Sequence, residues 1–355
     1  MNDSSDSVEL GPWLDADLQG TASVYSGDGS DDDLDEIWRF SRSVCRLMLR
    51  RLRQHAEEIR RDAIAIFLLQ PTAPTGSSPN REPLLGDGSV EISGKIWFVG
   101  KTAQSGRSIE PSDIEDSTMF DLVEELGLGH VPAIVVNPKV DIPVVRVYGK
   151  GLSSEEEVDT VDILDKEVDV FDIQDTVNQM CEKQLCTPDA QVTGASMWAN
   201  AQKCHVASNA EAIAQLQMKT ALQFRLFNCD IRHEQRMRAG RTDIEIAQKR
   251  ADGSIIIAAE IEIKVLRGRN RRGKKWSDSY NEKWIRRGIR QAAAYRDDRS
   301  ARFGILCCFD MRQTDRGELQ TFAQVKPYAE ELCVNLHRNF LFNSAEAWRV
   351  ARYGT

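Results

Sequence analysis

The chain has 355 residues, 41% of them hydrophobic, with eight cysteines and a formal net charge of −9. That length suits two domains with real cores, and cysteines scattered without framework spacing in so long a chain exclude a small disulfide-stapled scaffold. The longest apolar runs, such as AIAIFLL at 63–69, are too short to cross a bilayer, and no basic region followed by an apolar one opens the sequence. The reading is therefore no signal peptide, no membrane partner and a cytoplasmic protein.

Charge is unevenly spread. Residues 1–200 carry 17 Lys/Arg against 37 Asp/Glu, a balance of −20, and residues 201–355 carry 29 against 18, a balance of +11. A basic half joined to an acidic half predicts a polyanion-facing domain beside an acidic domain that offers a surface to a protein partner.

In chain order, residues 1–34 are acidic, rich in Ser, Gly and Asp, and read as a disordered tail. Apolar residues recur every three to five positions from Ile37 to Ile59, predicting a helix over 35–62. AIAIFLL reads as a buried strand, 71–88 as a Pro/Gly/Ser-rich loop, and Glu91–Val99, Ala133–Val136 and Pro143–Val147 as further strands, with a short helix near Met119–Leu126. Together 35–180 form an α/β or α+β domain. VGKT at 99–102 is not a phosphate-binding P-loop, because that motif needs a glycine where Lys95 stands. The acidic tract 155–177 fits an amphipathic helix with a solvated face, or strands by its β-branched content, and a cover for a basic surface is a further reading. Residues 181–207 read as a linker, and Cys181, Cys186, Cys204 and His205 lack the paired spacing of a zinc finger. A second domain then spans 208–355. It opens with a helix over 208–227, where Ser208 and Glu211 match a capping box.

The segment DIEIAQKRADGSIIIAAEIEIK at 243–264 places Asp252-Gly253 between two alternating arms. That pattern predicts a two-residue β-hairpin, since Asp and Gly tolerate the positive φ of its turn. The register then sets Asp243 opposite Glu262 and Glu245 opposite Glu260, with Lys264 two residues on along the same face. Like charges directly opposed destabilise a sheet, so the arrangement points to a site for a hard cation such as Mg²⁺. Whether Glu245 and Glu260 belong to that site or only flank it stays open.

Asp243, within GRTDI, and Glu262-Ile263-Lys264, within EIEIK, resemble the core of the PD-(D/E)XK nuclease superfamily, with Thr242 where the family name has Pro. A helix precedes the hairpin, as in that family. A second helix, NEKWIRRGIRQAAAYR at 281–296, follows it, and its Gln291 and Tyr295 look like the Gln-x-x-x-Tyr signature of some branches. A strand at Phe303–Phe309 completes a likeness that covers roughly 205–315. The resemblance implies a restriction-endonuclease-like α/β core with a mixed central sheet flanked by helices, and metal-dependent hydrolysis of phosphodiester bonds in DNA. Asp243, Glu262 and the Ile263 carbonyl would hold Mg²⁺ or Mn²⁺, Lys264 and Gln291 would serve the water or the phosphate, and Glu211 is a further candidate acid.

Eleven Lys/Arg stand from Lys264 to Arg290 against Asp278 and Glu282. Arg267, Arg269, Arg271, Arg272, Lys274 and Lys275, with Tyr295, are the candidate nucleic-acid contacts, because backbone phosphates reward such a run with sequence-independent affinity. Trp276 and Trp284 offer stacking faces, although Trp284 fits a core position on its helix better. The family context suggests the nuclease component of a bacterial defence or restriction system, and a homodimer where both strands are cut. Competing readings are a catalytically inactive nucleic-acid-binding subunit with the same fold, and a protein-interaction scaffold.

Overall fold

A computed structural model describes residues 30–354, apart from 56–62, 85–89, 140–141, 155–157, 164–165, 192–193, 234, 239, 251–253 and 270–274. The chain is of the α/β class and builds two lobes, each on its own mixed sheet.

Helix α1 (Ser30–His55) opens the first lobe and begins inside the stretch expected to lack structure; the rest of that tail, and residues 56–62 of the expected helix, lie outside the described residues. Strands β1 (Ala65–Leu69), β2 (Glu82–Pro83), β3 (Ile96–Val99), β4 (Ser105–Ile109), β5 (Ala133–Asn137), β6 (Val144–Tyr148) and β7 (Asp159–Asp162) form a sheet in the order β2-β4-β3-β1-β5-β6-β7. β1 and β3 run parallel, and the other pairs are antiparallel. Successive residues point to opposite faces, and both faces are covered, which is why the central strands are apolar throughout. Phe40, Val44 and Leu47 of α1 pack with Phe67, Trp97 and Val136 on one face. Met119 and Val123 of α2 (Asp116–Glu125) pack with Ile66, Phe98 and Val135 on the other.

The second lobe carries α3 (Val170–Met180) and α4 (Ala210–Arg225) on one face of a five-stranded sheet and α5 (Asp278–Arg299) on the other. Its strands are β8 (Cys229–His233), β9 (Ile244–Lys249), β10 (Ile255–Arg267), β11 (Phe303–Met311) and β12 (Val334–Phe340), in that order across the sheet. β8, β9 and β10 form an antiparallel meander, and β11 and β12 continue it in parallel. Ile244, Ile261 and Ile263 lie under α3 and α4, whereas Leu266, Leu306 and Cys308 lie under α5.

Two expectations about the connecting region are corrected. Residues 181–207 are not a linker: Met197, Trp198, Cys204 and Val206 are buried in the same core as α3 and α4, so the second lobe begins before residue 170. The acidic tract is divided between β7 and α3. At the start of α3, Asp169 and Asp172 form a reciprocal capping box with bonds of 2.9 and 3.1 Å, so these acids satisfy orphan helix donors. Among the described residues of the tract, Ile173 and Val177 of α3 pack on the Ile261–Ile263 face, opposite the face that carries Glu262 and Lys264, and Glu167 pairs with Arg250 at 2.6 Å and Arg302 at 2.5 Å.

The lobes meet along α1 and α4. The rings of Trp38 and Phe224 pack edge to face with centroids 4.0 Å apart, Arg46 Nε donates to the Phe227 carbonyl at 2.8 Å, and Arg42 donates to the Cys229 carbonyl. No helix among the described residues is long and apolar enough to cross a membrane.

Candidate active site

The hairpin brings its acids to the expected rows by an unexpected route. Glu245 stands opposite Glu260, and Ile244 opposite Ile261. Nearer the turn Lys249 pairs with Ile255, one residue out of step with a two-residue turn on Asp252-Gly253, which itself lies outside the described residues. An extra residue, Ala258, between the paired Ile257 and Ala259 restores the register as a β-bulge. Asp243 stands in a bend one residue ahead of β9. Its Oδ2 accepts the Ile263 N–H at 2.7 Å, which places its carboxylate beside the backbone between Glu262 and Lys264.

Helix α4 supports this arrangement from below. Gln215 donates through Nε2 to the Asp243 carbonyl at 2.7 Å, and Glu211, one turn earlier on the same face, accepts the Val265 N–H at 3.1 Å. The Ser208–Glu211 capping box is absent: Asn209 is the N-cap and makes no side-chain cap bond. Glu211 is therefore turned toward the strand, not toward the helix end. The spacing of Glu211 and Gln215, four residues on a helix, was the available sequence signal for Gln215, which the hairpin reading passed over.

Lys264 is buried, and its Nζ contacts Glu262 Oε1. It runs over Gly288 of α5, where an added Cβ would meet Lys264 Cγ at 3.1 Å, and ends 5.2 Å from the centre of the Trp284 ring. Trp284 thus acts as a wall for the lysine and packs against the α5 core.

The charges are unbalanced. Burial pushes the Glu262 carboxyl up to about 8, reinforced by the charge of Asp243 and opposed by Lys264. Burial likewise lifts Asp243 to about 6 against the pull of Lys264 and the Ile263 N–H. Burial works against the Lys264 ammonium, but Glu262, Glu211 and Asp243 together outweigh it and raise that group above its ordinary value. Three acids around one ammonium leave a deficit of positive charge, and buried Glu262 Oε2 has no hydrogen-bond partner among the described residues. An orphaned carboxylate oxygen beside a second carboxylate fits a hard divalent cation. Among the described residues no three His, Cys, Asp or Glu side chains converge closely enough to form a metal cluster by themselves.

Glu245 and Glu260 are set apart from this group. Both carboxyls are buried. Glu245 is held by Arg232 Nη1 at 2.9 Å and Arg299 Nε at 3.0 Å. Burial, with the Glu245 charge adding to it, raises Glu260 to about 8, eased by Thr242. Glu245 is thus paired with two arginines, whereas both buried oxygens of Glu260, like Glu262 Oε2, have no hydrogen-bond partner among the described residues.

Gln291 and Tyr295 also come to the site: Tyr295 feels the charges of Glu262 and Asp243, Gln291 Nε2 donates to the Tyr295 hydroxyl at 3.3 Å, and Gln291 Oε1 is buried without a hydrogen-bond partner among the described residues. Tyr295 is corrected as a nucleic-acid contact. It is buried, with its hydroxyl against Gly240, where φ is +135° and an added Cβ would approach the oxygen to 3.0 Å. Of the basic loop, Arg269 and Lys275 pair as an antiparallel stem and Trp276 N–H closes on the Gly268 carbonyl at 2.9 Å, while Arg271, Arg272 and Lys274 lie outside the described residues. Arg267 ends β10, so the stem rises directly from the strand that carries Glu262 and Lys264.

The chain matches no protein-family model, no curated protein and no solved structure.

Proposed function

We propose that this chain is a Mg²⁺-dependent nuclease of the PD-(D/E)XK type that hydrolyses phosphodiester bonds of DNA. The observation that carries the reading is the convergence of Asp243, Glu262 and Lys264 beside the β9–β10 pair, with one Glu262 oxygen left without a donor among the described residues. Support also comes from the order of elements. Helix α4, the antiparallel strands β8 to β10, helix α5 and the parallel strand β11 follow the plan that the resemblance implies for a restriction-endonuclease-like core.

Asp243, Glu262 and the Ile263 carbonyl would hold the ion. Two carboxylates suffice, because Mg²⁺ is typically bound through one or two carboxylates plus substrate phosphates. When bound, the ion supplies polarisation of the phosphoryl oxygen and a lowered pKa for a water. The chain supplies the rest. Lys264, walled by Trp284, directs its ammonium at negative charge developing on the phosphate. Gln291 presents an Oε1, unpartnered among the described residues, that accepts from the attacking water, and Tyr295 fixes Gln291 in place. Gln215 and Glu211 hold Asp243 and β10 from the helix side. The basic loop after β10 would track the substrate backbone.

The test is incubation of the full chain with supercoiled plasmid, single-stranded DNA and RNA, in Mg²⁺ and in EDTA. Cleavage of DNA in Mg²⁺ that is lost in EDTA and in Lys264→Ala is the expected result. Equal cleavage under all three conditions would overturn the assignment, and salt-sensitive binding without cleavage would favour the inactive nucleic-acid-binding subunit.

A further inference from the structure

The first lobe contains a cleft of about 1120 Å³ that the nuclease reading leaves without a role. It lies outside the carboxyl ends of β1, β3 and β6, reached through Leu69, Gly100 and Gly149. Pro132, just ahead of β5, and Asp159, which opens β7, stand at the same sheet edge, and the volume is close to that of a small-molecule site. Its walls are chemically graded. Lys101 and Lys150 reach it from two separate turns, Trp38 and Tyr148 supply flat aromatic faces, and Glu36 and Asp159 stand on the wall made by α1 and β7. At Gly100 and Gly149 an added Cβ would meet nothing within 4 Å, so the backbone beside both lysines is open to close approach. The Lys150 turn is held rigidly: Gly151, at φ +88°, packs so tightly on the Gly129 carbonyl that a Cβ would come to 2.3 Å, and Ser153 N–H donates to that carbonyl at 2.9 Å.

Two ammonium groups on fixed turns suit a phosphate, and aromatic walls suit a planar ring. Carboxylates at the far wall suit the hydroxyls of a sugar or the amino group of a base. The geometry points to a phosphorylated aromatic small molecule of the nucleotide class as the occupant of this cleft, acting as a ligand that the second lobe senses. The Gly100-Lys101 pair, which fails as a P-loop, would then take part in anion binding on a different scaffold.

The cleft shares its walls with the contact between lobes. Trp38 is the residue whose ring meets Phe224 of α4, and β7 carries the Thr160 carbonyl that accepts from Arg225 Nη1 at 3.3 Å. Helix α4 is also the element that presents Glu211 and Gln215 to the strand pair. A ligand stacked on Trp38 therefore bears on α4 directly. Only this coupling rests on the nuclease reading; binding in the cleft does not.

The experiment is calorimetric titration of the full chain with ATP and with a linear diadenylate, beside adenosine and inorganic pyrophosphate as separate arms. The same titrations are run on Lys101→Glu/Lys150→Glu, with its fold checked by thermal melting, and on Glu262→Gln. Saturable binding of a nucleotide is expected, weakened about tenfold or more in the double variant, as befits loss of charge-assisted bonds, and retained in Glu262→Gln. Weaker binding of adenosine and of pyrophosphate is expected, since each lacks half of the recognised chemistry. No heat with any nucleotide, or undiminished binding by a folded double variant, would overturn the site. Hydrogen exchange on residues 210–225 tests the coupling: slowed exchange with bound nucleotide supports it, and unchanged exchange at saturation removes it. A chain that binds nucleotide yet cuts no DNA would sink the nuclease reading and leave the cleft standing.

Discussion

Lys264 is the residue on which the site depends, because its ammonium is the one cation in contact with Glu262 among the described residues and its stem is fixed by α5. Replacing it by Ala removes the group facing developing charge, and cleavage rates are expected to fall about 10²- to 10⁴-fold at constant Mg²⁺. Lys264→Arg is not expected to rescue, since a planar fork does not fit a slot shaped for a point charge. The pH dependence follows from Glu262, whose carboxyl is lifted from 4.5 to about 8 by burial. A raised folded-state value means that stability from the retained proton is fully present below pH 4.5 and is lost as pH rises through about 8. Mg²⁺ favours the ionised carboxylate, so the rise in melting temperature on adding Mg²⁺ should be larger at the alkaline end of that window than at the acid end. Glu262→Gln should flatten that difference. Thermal melts with and without Mg²⁺ across the window check both statements.

At the scale of elements, α5 and the strands it covers meet at Gly288. In Gly288→Ala the new Cβ would lie 2.7 Å from Leu306 Cδ1 and 3.1 Å from Lys264 Cγ. Overpacking of this kind costs about 1–3 kcal/mol, and the gain in helix propensity offsets about 1 kcal/mol of it. Stability should therefore change modestly while Lys264 is displaced. The expected signature is a lowered kcat with a melting temperature near wild type. The loop after β10 has its own test. Replacing Arg271, Arg272 and Lys274 by Ala should reduce the log–log salt slope of DNA binding by roughly 2–3 units if each residue meets one phosphate.

Much of this level was legible in the sequence. The alternating arms announce themselves by period and the strand at Phe303 follows from the family plan, whereas the buried face of α4 runs through Ala210, Ile213, Ala214, Met218 and Leu222 and carries too many small residues to stand out. The bulge at Ala258 was not legible, because a one-residue insertion among small apolar residues leaves no compositional trace. Neither was Glu211 as a strand partner: its position matches a capping box, and only the tertiary contact with Val265 decides against it. β4 and β12 escaped because SGRSI and VNLHRNF mix polar with apolar residues at positions whose burial depends on neighbouring elements. The packed segment 181–207 resembled a linker for the same reason. Its buried residues are few and irregularly spaced, so no period betrays them.

Across the whole molecule, the two lobes are joined by α1, which closes the core of the first and contacts α4 and β8 of the second. Arg46→Ala removes the donor to the Phe227 carbonyl and should lower the melting temperature by the few degrees that about 1 kcal/mol produces in a chain this long. The charge asymmetry acts at the same scale. The acidic half repels a polyanion and the basic half attracts it, so DNA should approach from the side of α5 and the β10 loop, and association should slow steeply with salt. The central claim, that Asp243 and Glu262 serve phosphodiester cleavage, is tested most directly by one time course: supercoiled plasmid in Mg²⁺ with wild type and with Asp243→Asn. The isosteric variant keeps the shape of Asp243 and removes its charge. Nicked or linear product from wild type alone is the predicted result, and equal cleavage by both proteins would contradict the account.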